Sequence, residues 1–224
     1  MSKVGKRIKT VLSSYDPKLS YSLDEAVSIL KKNATCKFDE NIDIAMNLNV
    51  DPKKADQYLR GVVAMPNGTG KTVKVAVFAK DKKAEEAKAA GADIVGEKDL
   101  VDDIIAGKSF DYDVCIATPD MMVLVGRIGK ILGPKGLMPN PKTGTVTFDV
   151  AKAISAVKKG QVEYKTEKAG IVQAGVAKAS FTEDAIKQNV QAFIDEINRV
   201  RPATIKNLYI KSIYLSTSMG PSVR

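Results

Sequence analysis

Met65-Pro66-Asn67-Gly68-Thr69-Gly70-Lys71-Thr72-Val73-Lys74-Val75-Ala76-Val77-Phe78-Ala79 is the stretch on which the fold turns. Residues 66–70 are a turn cluster, because proline fixes φ and glycine tolerates positive φ. Residues 73–79 then form a nearly continuous apolar run. A strand buried on both faces reads this way, whereas a strand with one wet face alternates. Residues 68–72, Gly-Thr-Gly-Lys-Thr, also match the last five positions of a phosphate-binding loop. That pattern needs a glycine five residues before Gly70, where Met65 stands, and a following helix whose N–H groups face phosphate. Here a strand follows, so the turn reading prevails.

Downstream, the texture of the stretch repeats. Residues 82–90 read as a helix stopped by Gly91, residues 93–95 as an extended segment, and the region near 97–106 as a helix. Residues 112–118 form another buried strand, and a further helix begins near Asp120. Buried strands alternating with helices predict a parallel sheet of βαβ units over residues 68–159. Upstream, the texture differs. Ser22-Leu23-Asp24-Glu25 fits a capping box opening a helix over 23–32. Ile42, Ile44, Met46, Leu48 and Val50 alternate with polar residues, as in a strand with one wet face. Residues 61–65 read as a second short strand.

The older texture returns after Gly160. Strands are expected at 161–166, 171–177 and 208–216, with a helix at 182–200 whose Ile186, Val190, Phe193, Ile194 and Ile197 share one face. The fold class is therefore α/β plus α+β in two domains. A discontinuous α+β outer domain, residues 1–67 and 160–224, carries an inserted Rossmann-like α/β domain at 68–159.

The 224 residues are 44% hydrophobic, enough for a real core, and carry a net charge of +9. The excess favours an anionic partner, nucleic acid or an acidic membrane surface. Both segments share it: 20 basic against 14 acidic residues in the outer segments, 15 against 12 in the insert. The N-terminus, Met1-Ser2-Lys3-Val4-Gly5-Lys6-Arg7, is basic with no apolar region after it, so no secretory signal is expected. No apolar run is long enough to span a bilayer. Cys36 and Cys115 lack metal-ligand spacing and read as free thiols of a reducing cytosol. The chain has no histidine at all, which excludes Ser-His, Cys-His and His-metal chemistry.

Other motif matches have ordinary explanations. Ser155-Ala156-Val157-Lys158 and Lys142-Thr143-Gly144 match two motifs of penicillin-binding enzymes, but in reversed order and without Ser-Asp-Asn. Asp102-Asp103 and Glu85-Glu86 are solvated helix faces. The most unusual segment runs Val125-Gly126-Arg127-Ile128-Gly129-Lys130-Ile131-Leu132-Gly133-Pro134-Lys135-Gly136-Leu137-Met138-Pro139-Asn140-Pro141-Lys142-Thr143-Gly144-Thr145-Val146. It lacks a dinucleotide fingerprint. Its glycines and prolines predict a long ordered loop, made basic by Arg127, Lys130, Lys135 and Lys142; a structural loop and an RNA-contacting loop both fit.

From Gly126 to Val146 the chain resembles the signature of the first large-subunit ribosomal protein, the L-one family, in its bacterial arrangement. Lys37-Phe38-Asp39-Glu40, Gly170, Lys178-Ala179-Ser180-Phe181 and the closing Ser216-Thr217-Ser218-Met219-Gly220-Pro221-Ser222-Val223-Arg224 extend the resemblance over essentially the whole chain. It implies a cytoplasmic constituent of the large ribosomal subunit that binds stalk-region ribosomal RNA and supports release of exit-site tRNA. It further implies repression of the protein's own messenger RNA and a monomer when free of the ribosome. No catalytic residue, metal, cofactor or membrane partner is implied.

The resemblance also moves the expected contact from the basic segment to the outer domain. The matching positions are Lys37, Phe38, Asn41, Asp43, Asn47, Lys168, Gly170, Lys178, Ser180, Ser218, Met219 and Gly220. Asn41, Asp43 and Asn47 share the polar face of one strand, being separated by even steps. The lysines would neutralise phosphates, and Asn41, Asn47, Ser180 and Ser218 would bond riboses. Gly220 would let the backbone approach, and Phe38 and Met219 would pack on sugars or bases. Ser218 and Ala169 stand where the resemblance leads one to expect threonine. Pro66, Asn67, Gly68 and Gly160 are the expected hinge about which the inserted domain swings.

Two rival readings use other features. An enzyme or small-ligand binder would use the crevice at the carboxyl ends of the inserted strands. A repressor without a ribosomal role would use the same RNA surface on a different RNA.

Overall fold

The computed structural model describes residues 5–54, 56–108, 111–205 and 207–224; Met1 to Val4, part of the basic N-terminus considered above, lie outside them. Along the chain come helices α1 (Lys6–Leu12) and α2 (Leu23–Asn33), then strands β1 (Asn41–Leu48), β2 (Arg60–Ala64) and β3 (Val75–Phe78). Helix α3 (Asp81–Ala89), β4 (Ile94–Gly96), α4 (Lys98–Ile105) and β5 (Val114–Ala117) follow. Then come α5 (Met122–Arg127), α6 (Gly129–Leu132), α7 (Val150–Lys158), β6 (Gln161–Lys165) and β7 (Ile171–Lys178). The chain finishes with α8 (Glu183–Arg199) and β8 (Ile210–Thr217). It divides into two compact units, the first running through Gly70 and resuming at Val162–Arg224, the second Lys71–Gln161.

In the first unit the central sheet has the order β7-β1-β8, and β1 is antiparallel to both neighbours. Burial alternates residue by residue along β1, with Ile42, Ile44, Met46 and Leu48 all inward. They meet Val27 and Leu30 of α2 and Ile186, Val190, Phe193 and Ile197 of α8 in one core. Both helices start on side-chain caps. Ser22 and Glu25 form the reciprocal capping box, and Thr182 accepts from the Ala185 N–H. Acidic residues in each first turn complement the helix dipole. β2 pairs with β6 in a separate two-stranded sheet.

In the second unit the sheet order is β4-β3-β5, and both pairings are parallel. All four residues of β3 are buried, because the sheet is covered on both faces. Ala76, Phe78, Cys115 and Ala117 pack against α4, α5 and α6. Val75, Val77 and Ile116 pack against Ala87 of α3 and Val150, Ile154 and Val157 of α7. Cys115 is a free thiol whose pKa burial pushes up to about 12, with the Tyr112 hydrogen bond opposing the rise. Thr72 leads through Val73 into β3, not into a helix, so the phosphate-loop match has no helix N-terminus behind it.

The sequence expectation fails in part at the basic segment 126–146. Its first part is helical, with α5 running to Arg127 and α6 occupying Gly129–Leu132, while residues 133–146 stay irregular apart from a 3₁₀ turn at Pro141–Thr143 and a single bridge at Val146. Met121, Val125, Ile128 and Leu132 recur at steps of 4, 3 and 4, and all are fully buried. That apolar stripe outweighs the helix-breaking tendency of the intervening glycines. Helix α1 is the other departure, an element the sequence reading did not contain.

Candidate nucleic-acid interface

The expected contact residues fall on the first unit, at both ends and along one face of its central sheet. Asn41 at the head of β1 pairs with Lys178, and Asn47 near its foot pairs with Ile171. Six residue steps separate Asn41 and Asn47, about 20 Å of extended chain. Lys37, Phe38, Lys178, Ser180, Ser218, Met219 and Gly220 gather at the head. Lys168 and Gly170 lie at the foot, in the turn joining β6 to β7. One contiguous patch is therefore not formed by the edge residues alone; Asn41, Asp43 and Asn47 span the distance.

The head is built around a carboxylate that sequence reasoning quoted but did not select. Glu40 is 1% exposed. Its side chain accepts from the backbone N–H groups of Met219 (3.1 Å) and Cys36 (3.3 Å), and its carbonyl accepts from Ala179 (2.8 Å). Burial by itself would raise its pKa. The Thr217 hydroxyl, the Met219 N–H and the Cys36 thiol and N–H outweigh that, and hold the carboxyl below its ordinary value. From α1, Arg7 donates to the Met219 carbonyl at 2.6 Å and to the Cys36 sulfur at 2.9 Å. Three chain segments distant in sequence are thus clamped around Met219.

That clamp leaves two apolar side chains outside. Phe38 is 55% exposed and Met219 51%, so neither is packed into the core. Lys37 and Lys168 are exposed, Lys178 half-buried, and none of the three forms an ion pair among the described residues. The serines are differently placed. The Ser180 hydroxyl donates to Asp39 at 2.8 Å, and Ser218 Oγ accepts from the Asn41 N–H at 2.9 Å. Both hydroxyls are engaged in holding the head together.

The glycines also have structural duties. Gly170 has φ +76, and a Cβ there would crowd the Val50 carbonyl at 3.1 Å. Its N–H closes the turn onto Glu167. At Gly220 a Cβ would collide with the Thr217 hydroxyl, so the turn after β8 itself requires glycine. Of the expected hinge residues, Asn67 is tied to α8 within the first unit. Its N–H donates to Asn189 Oδ1 at 3.1 Å and its side chain to Gln188 at 2.8 Å. The Gly68 carbonyl accepts from Asn189 Nδ2 at 2.8 Å. Gly160 has φ +98 at the end of α7, and Pro66 is exposed.

Asp39, Glu40 and Arg7 are what the residue-by-residue reading missed. Asp39 and Glu40 lay inside a quoted motif, and a carboxylate pair beside a basic surface was itself a signal. Arg7 gave none, since its partners Cys36 and Met219 lie 29 and 212 positions away along the chain. Among the described residues no cluster of three or more metal-ligating side chains occurs, and no helix is long and apolar enough to cross a membrane. The family model described as the ribosomal protein L1p/L10e family matches residues 30–221, a range that contains every expected contact residue.

Proposed function

The chain belongs to the ribosomal protein L1p/L10e family, a large-subunit ribosomal component that binds ribosomal RNA, and we propose from this a finer reading. The outer domain, residues 1–67 and 160–224, grips the stalk region of the RNA. The inserted domain, residues 68–159, swings with it as exit-site tRNA departs. The same outer surface, presented with the protein's own messenger, represses translation. The free protein is a cytoplasmic monomer, and the family's role is structural, not enzymatic.

The observation that supports this reading is the head of the sheet: two exposed apolar side chains, Phe38 and Met219, beside Lys37 and Lys178, which form no ion pair among the described residues. A solvated surface gains nothing from such an arrangement. A folded RNA offers sugars and bases to the first pair and phosphates to the second. Because Asn67 and Gly68 are fixed to α8, the pivot on that connection lies in the residues after Gly70, with Gly160 on the return.

Binding to a stalk-region RNA fragment and to a scrambled RNA over a salt series tests the reading. Selective binding is expected, with Met219→Ala weakening it about tenfold, the size of one lost apolar burial. Three phosphate-facing lysines predict a log–log salt slope of roughly 2 to 3 in magnitude. Equal and steeply salt-sensitive binding to both RNAs would reduce the surface to a merely cationic one and withdraw the proposal.

A further inference from the structure

The strand register places a second set of side chains beside the expected contacts. On the side of the sheet away from α2 and α8, three rows cross all three strands: Gly175, Asp43 and Ser216; then Gln173, Ala45 and Tyr214; then Ile171, Asn47 and Ser212. Gln173 and Gly175 are exposed, and the β8 residues are half-buried. Tyr214 is the one aromatic residue in these rows. It is half-buried and stands across from Ala45, which offers it only a single methyl.

Hydrogen bonding separates this face from the head. At the head the Ser180 and Ser218 hydroxyls are already engaged with Asp39 and Asn41. On the face, among the described residues, the side chains of Asn47, Gln173, Ser212, Tyr214 and Ser216 make no hydrogen bond and the Tyr214 ring packs on no other aromatic ring. A row of amide and hydroxyl groups around a half-buried ring is a poor site for another protein's apolar core. It suits a sugar–base edge, where rings stack and 2′-hydroxyls both donate and accept. Lys178 at one end and the bulge residue Lys211 on β8 supply charge for the flanking phosphates.

We propose that the RNA contact continues from β1 across the whole outer face of the sheet, with Tyr214 stacking on a base or ribose and Gln173, Ser212 and Ser216 bonding its polar edge. This rests on the RNA-binding reading above and adds residues on β7 and β8 to it.

The test uses the full chain and the stalk-region RNA fragment with its scrambled control, comparing wild type, Met219→Ala, Tyr214→Ala, Tyr214→Phe, Tyr214→Leu and Gln173→Ala. Tyr214→Ala is expected to weaken selective binding about tenfold or more, Tyr214→Phe to retain most of it, and Gln173→Ala to lose a few-fold. Thermal unfolding of each free variant reports on folding. Should Tyr214→Ala unfold early, Tyr214→Leu preserves the apolar cover over Ala45 and replaces it in the comparison. If Tyr214→Leu and Gln173→Ala bind like wild type while Met219→Ala is weak, the outer face makes no contact and this inference falls alone. If wild type itself fails to discriminate the two RNAs, the RNA-binding reading falls, and this one with it.

Discussion

Glu40 shows how one side chain can govern a surface that it does not itself reach. It is buried, yet charged, because its carboxylate meets two backbone N–H groups and its neighbours favour the ionised form. Replacing it by glutamine puts an NH₂ donor against one of those N–H donors while leaving the shape unchanged. Glu40→Gln should therefore destabilise the protein by about 1–3 kcal/mol, the cost of a buried group left unpaired. It should also weaken RNA binding, because Met219 loses its anchor. The pH dependence follows from the direction of the shift. The folded pKa lies below the ordinary 4.5, so the stabilisation is fully present above 4.5 and is lost as pH falls through the folded value. Urea unfolding of wild type and variant from pH 6 to pH 3 should show a gap that narrows at the acid end. A gap independent of pH would mean that the charge of Glu40 contributes nothing.

Helices α5 and α6 illustrate where local and tertiary signals part. Glycine at 126, 129 and 133 argues for a loop, and the apolar spacing of Val125, Ile128 and Leu132 argues for a helix; burial decides for the helix. Gly126 lies inside α5, exposed, and a Cβ added there would meet nothing within 4 Å. Gly126→Ala should therefore stabilise the protein by about 0.5–1 kcal/mol, mainly by reducing the freedom of the unfolded chain. A raised urea midpoint checks this. A lowered one would show that the segment is not helical in solution. Elements with a single unopposed signal were legible in the sequence: the Ser22 capping box, the alternation along β1, the solid apolar run of β3, the one-sided stripe of α8. Helix α1 was not, because Lys6–Leu12 is a short basic segment with a single buried residue, Val11. At the candidate interface, the polar positions of β1 could be found by parity. The rows they form with Gln173 and Tyr214 could not, since bulges between Ile42 and Asp43 and between Asn47 and Leu48 set the register.

Across the whole molecule, the charge is spread over both segments while the exposed apolar pair belongs to the first unit, so composition alone could not assign the work. The first connection between the units depends on Asn189. This residue is fully buried, and its amide accepts from Asn67 N–H and donates to the carbonyls of Gly68 and Val176. It thereby fastens the chain leaving the first unit to α8 and to β7 at once. Asn189→Ala strips partners from three backbone groups, and a loss of at least about 2 kcal/mol is expected in urea unfolding. Its larger consequence concerns motion. With Asn67 and Gly68 released, the proposed pivot should lengthen toward Pro66, and the inserted unit should explore a wider range of separations. Small-angle scattering on the free protein, at a temperature where both forms remain folded, should give a broader distance distribution for Asn189→Ala than for wild type. If the two profiles coincide while the variant is measurably less stable, Asn189 is a core residue only, and the pivot is set elsewhere along the connection.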